Sequence, residues 1–91
     1  MKIQSHLLVH GIVQGVGFRW FIKQAANQRG LTGFVRNLSD GGVEVVLEGE
    51  EEVVREMVAE VSRGPRWAEV SQVDVDERLY TGAYPNFSVR F

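Results

Sequence analysis

The sequence predicts an α+β chain folded in two layers, with two helices on one face of a mostly antiparallel sheet. Three observations predict it. The apolar residues change period along the chain, from strand-like to helical and back, in the order β-α-β-β-α-β with a short strand at the end. The two helical stretches are each about 12 residues long, which suits them to covering a single sheet face. The 91 residues are 44% hydrophobic and include no cysteine, so one core must hold the fold without disulfides or thiolate-bound zinc, and a single domain over residues 1–91 is expected.

Residues 3–13 open the chain as a strand carrying Leu7, Leu8, Val9, Ile12 and Val13, with the imperfect alternation of a strand buried on both faces. Residues 14–18 form a glycine-bearing loop. From Phe18 to about Arg29 the period is helical: Phe18, Phe21, Ile22, Ala25 and Ala26 share one stripe, and Gly30 follows as a C-terminal cap. LTGFVRNL at 31–38 reads as the second strand, SDGG at 39–42 as a hairpin, and VEVVLE at 43–48 as the third strand. Glu50, Glu51 and Glu52 begin a second helix, where acids favour the positive end of the dipole. Val53, Val54, Met57, Val58 and Val61 make its apolar stripe, and Gly64-Pro65 ends it. EVSQVDVD at 69–76 alternates as a fourth strand, TGAYPN at 81–86 is a loop, and Phe87 to Phe91 alternates as a last short strand. The order is that of the ferredoxin-like, split β-α-β sandwich, a fold that hosts many functions.

The balance of charge narrows the function classes. Ten basic residues against twelve acidic give a net charge of −2, which disfavours a general nucleic-acid binder but permits a local site for one small anion. The N-terminal MKIQSHLLVHG has neither the length nor the small-residue cleavage site of a signal peptide, and no run approaches the roughly 20 apolar residues of a membrane span. A soluble cytoplasmic monomer without membrane or nucleic-acid partners is expected.

Chemistry concentrates in GIVQGVGFRWF at 11–21. Gly15 and Gly17 can bend the backbone so that successive N–H groups converge on an anion. The helix beginning at Phe18 adds N–H groups that have no intrahelical partner. Arg19 lies in the first helical turn, where a cation opposes the dipole at a cost of about 0.3–1 kcal/mol. That cost is understandable if its planar fork of donors meets a phosphate there. A tight turn followed by a solvated arginine would read the same way, and the segment matches neither GxxxxGK[ST] nor GxGxxG. Asn37 ends the second strand with an amide that both donates and accepts, or else caps the turn that follows. Arg36 and Asn37 are adjacent on a strand and so face opposite ways.

Other residues read as structural. His6 and His10 share a strand face with no third ligand in view. Glu50, Glu51 and Glu52 mark a helix start, and Trp67 reads as a lid on the core. Ser5, Ser39, Ser62, Ser71 and Ser88 lie in no nucleophile motif.

Two blocks carry a family resemblance. GIVQGVGFR at 11–19 resembles the first signature of the acylphosphatases. GFVRNLSDGGVEVVLEG at 33–49 resembles their second, with Gly33, Asn37, Gly41, Val43 and Gly49 at the family's spacing. The resemblance extends over essentially the whole chain, including Gly64-Pro65. It implies hydrolysis of acyl phosphates to a carboxylate and inorganic phosphate, with no metal or organic cofactor. It further implies that Arg19 binds the phosphate, that Gln14, Gly15, Val16, Gly17 and Phe18 offer it backbone N–H groups, and that Asn37 positions the attacking water. Ile12 stands where many relatives carry a polar or basic residue, ahead of the phosphate loop.

The rival expectation is a non-enzymatic phosphate- or RNA-binding ferredoxin-like module. RGLTGFV at 29–35 shares the outline of an RNP1 segment, but Leu31 and Thr32 are the wrong residue types and the strand is the second rather than the third. A second rival is an acylphosphatase-like domain of a larger carbamoyl-transfer protein.

Overall fold

The computed structural model describes residues 1–91. Its elements are β1 (Lys2–Ile12), α1 (Phe18–Gln28), β2 (Thr32–Asn37), β3 (Val43–Glu50), α2 (Glu51–Arg63), β4 (Glu69–Leu79) and β5 (Phe87–Arg90). The five strands form one sheet in the order β4-β1-β3-β2-β5. Every neighbouring pair is antiparallel except β2 and β5, which run parallel. Both helices cover the same face, so the architecture is the expected ferredoxin-like α+β sandwich.

The core lies between that face and the helices. Leu7 and Val9 of β1, Val35 of β2, Val43, Val45 and Leu47 of β3 and Phe87 of β5 meet Phe18, Ile22, Ala25 and Ala26 of α1 and Val54, Met57 and Val61 of α2. These are the alternate strand positions and helical stripes that the sequence periods pick out. Burying Phe18 contributes about 1.5–3 kcal/mol and sets the first turn of α1 against the sheet.

Three expectations are corrected. Only one face of β1 is covered by helices. On the other, Gln4, His6, Leu8 and His10 look outward, and His6 and His10 pair with Glu44 at 2.7 Å and Asp74 at 3.0 Å. The fourth strand runs three residues further than its alternation suggested, to Leu79, because backbone pairing with Ile3, Gln4 and Ser5 continues regardless of side-chain pattern. Trp67 is no lid on the core, being 57% exposed. The turn closed by Ala68 N–H to Pro65 O at 3.0 Å throws the indole outward, and Ala68 and Val70 pack against the core instead.

The outer sheet face holds a buried carboxylate. Glu48 is 1% exposed and accepts hydrogen bonds from Gln4 Nε2 at 2.8 Å, Thr81 N–H at 2.9 Å, Thr81 Oγ1 at 2.7 Å and Gly82 N–H at 3.0 Å. Burial pushes its pKa up, but these donors outweigh it, so the net shift is below the ordinary value of 4.5. The contacts tie the segment after β4 across the sheet and deliver the chain to β5.

Candidate active site

The site forms where β1 hands over to α1. The β1–β4 register shifts between His10 and Gly11, and Val13 is then buried at the mouth of the loop. Gly15 and Gly17 both adopt φ 76°, a left-handed conformation that other residues resist. A Cβ on Gly15 would meet nothing within 4 Å, and one on Gly17 only Trp67 Nε1 at 3.8 Å. Conformation, not crowding, therefore demands glycine at both positions.

Gly17 is the N-cap of α1, yet no side chain caps the helix and its first turn carries no acid. The first backbone bond at this end is Phe21 N–H to Gly17 O at 3.0 Å. The N–H groups of Phe18, Arg19 and Trp20 precede it and have no intrahelical acceptor. Their partial positive charge opens onto a cleft of about 770 Å³ lined in part by Gly15, Gly17, Phe18, Arg19 and Asn37. Gln14 and Val16 do not line it. Gln14 instead sends its side-chain amide across to the β2–β3 hairpin, donating to Leu38 O and Gly42 O, both at 2.7 Å. The loop before α1 is thus tied to the turn that follows Asn37.

Arg19 is half-buried and forms no ion pair, whereas Arg29, Arg36, Arg55 and Arg78 each find a carboxylate. The C-terminal strand end holds its guanidinium in place. Nη1 donates a long 3.4 Å hydrogen bond to Arg90 O, and Cζ lies 4.8 Å from the centroid of the Phe91 ring. Asn37 faces the helical side of β2 with Val35, while Arg36 faces the opposite side and pairs with Glu44. The Asn37 Oδ1 is buried and has no hydrogen-bond partner. A buried acceptor without a partner costs about 1–3 kcal/mol, so this one invites a donor from a molecule in the cleft.

The structure therefore brings Arg19, Asn37 and the loop glycines to one cavity. It assigns no part of that cavity to His6, His10, Glu50–Glu52 or the serines other than Ser88, which is among its lining residues. Sequence reasoning missed Arg90 and Phe91 as supports of Arg19, and it missed the Gln14 side chain as a strut. The position of Gln14 inside the first signature block was the available signal. On the outer face, where an RNA-recognition domain stacks bases, Phe34 is only 7% exposed and is covered by the Arg90 guanidinium, whose Cζ lies 4.0 Å from the Phe34 ring centroid.

Comparison with known proteins agrees with the geometry. The family model described as Acylphosphatase matches residues 5–89. An acylphosphatase of Caldanaerobacter subterraneus is 44% identical over 98% of this chain and 99% of its own. The crystal structure of acylphosphatase from Bacillus subtilis superposes with a TM-score of 0.93 at 36% identity, covering 98% of this chain and 99% of that one. Full-length HypF, crystallised in a phosphate- and nucleotide-bound form, contains a similar region. It has a TM-score of 0.86 at 26% identity, covering all of this chain and 12% of HypF.

Proposed function

The chain belongs to the acylphosphatase family, and on that premise we propose how its residues divide the work of hydrolysing an acyl phosphate. The phosphate sits over the loop before α1 and accepts hydrogen bonds from backbone N–H groups of its cleft-lining residues Gly15, Gly17 and Phe18. Arg19 bridges two of the phosphate oxygens with its guanidinium fork. Asn37 Oδ1 accepts a hydrogen bond from a water and holds it in line with the bond to be broken. The single observation that carries this division is the buried, unpartnered Asn37 Oδ1 in a cleft that also receives an unpaired arginine and a free helix terminus.

So spare a site suits the reaction. The leaving carboxylate has a conjugate acid of pKa about 4, so it departs without a general acid. Phosphoryl transfer through a loose transition state asks chiefly for alignment and for charge stabilisation on the equatorial oxygens. The loop and Arg19 do the second task, and Asn37 does the first. The water oxygen attacks phosphorus as the bond to the acyl oxygen breaks. A water proton passes to a phosphate oxygen, giving carboxylate and inorganic phosphate.

On this reading the chain acts as a single-domain monomer that needs no metal or organic cofactor. The test follows the absorbance of benzoyl phosphate during hydrolysis, with EDTA present and Arg19→Ala run in parallel. Turnover that survives EDTA and is lost in the folded variant is the expected result. Turnover by Arg19→Ala at the wild-type rate would refute the assignment.

A further inference from the structure

The cleft is longer than a phosphate requires. It follows α1 beyond Arg19 past Lys23 to Asn27, with Asn86 and Phe87 on the β5 side. Arg19, Lys23 and Asn27 recur every four residues, so they stand on one helix face with each step advancing about 6 Å. The phosphate end, with Asn37 and Arg19, lies beside the C-terminal end of β5. The Asn27 end lies beside its start, where Gly33 N–H meets Asn86 O at 3.0 Å. The groove between α1 and β5 is therefore the open direction for whatever is attached to the phosphate.

The charge on its lining side chains is of one sign. Among the lining residues the charged side chains are Arg19 and Lys23, and no aspartate or glutamate joins them, although the whole chain carries a net charge of −2. Lys23 is half-buried and forms no ion pair. Its ammonium sits 5.8 Å from the ring centroid of Trp20, which also lines the groove. A second cation one helical turn from the phosphate site serves little purpose for an uncharged acyl chain. It complements an anion carried a few bonds beyond the carbonyl.

We propose that the groove between α1 and β5 is the acyl subsite and that Lys23 selects acyl phosphates whose acyl group ends in a carboxylate, such as the monophosphate of a short dicarboxylic acid. This rests on the acyl phosphate hydrolase reading above. Lys23 touches only the distal anion, so its contribution is to substrate binding and not to the bond-breaking step.

Succinyl phosphate and butyryl phosphate test this directly, because they share chain length and differ in a terminal carboxylate against a methyl. The measured quantity is the ratio of their kcat/KM values in wild type, Lys23→Met and Lys23→Arg. Methionine keeps an apolar stem against Trp20 and removes the charge. The expected result is a ratio favouring succinyl phosphate that drops about fivefold in Lys23→Met, chiefly through KM, and is retained in Lys23→Arg. Raising ionic strength should lower the wild-type ratio and leave that of Lys23→Met unmoved. Hydrolysis of both substrates with the same ratio in wild type and Lys23→Met would overturn the subsite and leave the hydrolase standing. Failure of the folded wild type to hydrolyse either would overturn the hydrolase reading and the subsite with it.

Discussion

The two helices of this protein begin in opposite ways. α2 starts from an extended Glu50, carries Glu51 and Glu52 in its first turn, and has its Glu51 N–H bonded to Met1 O at 2.9 Å. Its positive end is neutralised by its own chain. α1 starts from a left-handed glycine, with no side-chain cap, no acid in its first turn and an arginine where an acid would stabilise. Glu48 supplies a third case, an internal anion gathered by two backbone N–H groups, a hydroxyl and an amide. Of these three clusters of donors, two are filled by acidic groups of the chain itself, and the third, the start of α1, is left open onto the cleft with Asn37. The difference teaches how to recognise a site in a small fold: one helix start is left uncapped and carries a cation where its counterpart is filled by acids.

The strongest way to break this comparison is to remove the cation at the open terminus. Arg19→Ala should lower kcat/KM for benzoyl phosphate by about a thousandfold or more, the scale on which an arginine stabilises a transferring phosphoryl group. Its melting temperature should not fall, because the residue opposes the dipole it sits on. A parallel loss of stability would mean that Arg19 is structural. Asn37→Ala should come next, with kcat lower by about a hundredfold and KM little changed, as the proposed role of the amide on water rather than on phosphate requires. A rise in KM at constant kcat would contradict that role.

The filled cradle is the counterpart. Glu48→Ala should cost about 2–4 kcal/mol in urea unfolding, because it strands Thr81 N–H, Gly82 N–H and the Gln4 amide beneath the loop they hold. The pH dependence has a definite sign. The folded-state pKa of Glu48 lies below its ordinary 4.5, so its contribution is complete above that value and is lost as pH falls through the folded pKa. Glu44 titrates in the same sense: burial raises its pKa, but hydrogen bonds from His6 and Arg36 outweigh it and bring it lower. Glu48→Gln should therefore flatten the acid limb of the stability curve without abolishing it. An acid limb identical to wild type would remove Glu48 from the account.

These residues also mark what could be read before the fold was known. Arg19 was legible because it violates a local rule: a cation in a first helical turn is odd whatever surrounds it. Asn37 stood out through the second signature block, because a polar amide ahead of a turn reads by itself as a cap. The helical stripes and the SDGG hairpin were legible because period and turn chemistry are local. Glu48 was not. Alternation places it with Glu44 on the outer face, and only the return of residues 80–86 across that face buries it. The strut from Gln14 joins residues 24 and 28 positions apart, and Arg19 meets Arg90 across 71, so both wait on tertiary contact. The last three residues of β4 were missed because an edge strand is extended by backbone pairing, which leaves no trace in side-chain pattern.

The smallest effect is the sharpest on the comparison itself. If the two helix starts differ only in what occupies their positive ends, exchanging the charges should exchange the stabilities. Arg19→Glu places an acid in the first turn of α1 and should stabilise the fold by about 0.3–1 kcal/mol while destroying activity. Glu52→Arg places a cation in the first turn of α2 and should destabilise by a similar amount with kcat/KM unchanged. Both shifts should shrink as salt is raised, since the field at a helix end is screened. Inorganic phosphate adds the decisive arm. It should raise the melting temperature of wild type and of Glu52→Arg, because it binds the folded state alone, and should leave Arg19→Glu where it was. A phosphate-induced shift that persists in Arg19→Glu would place the anion somewhere other than the open end of α1.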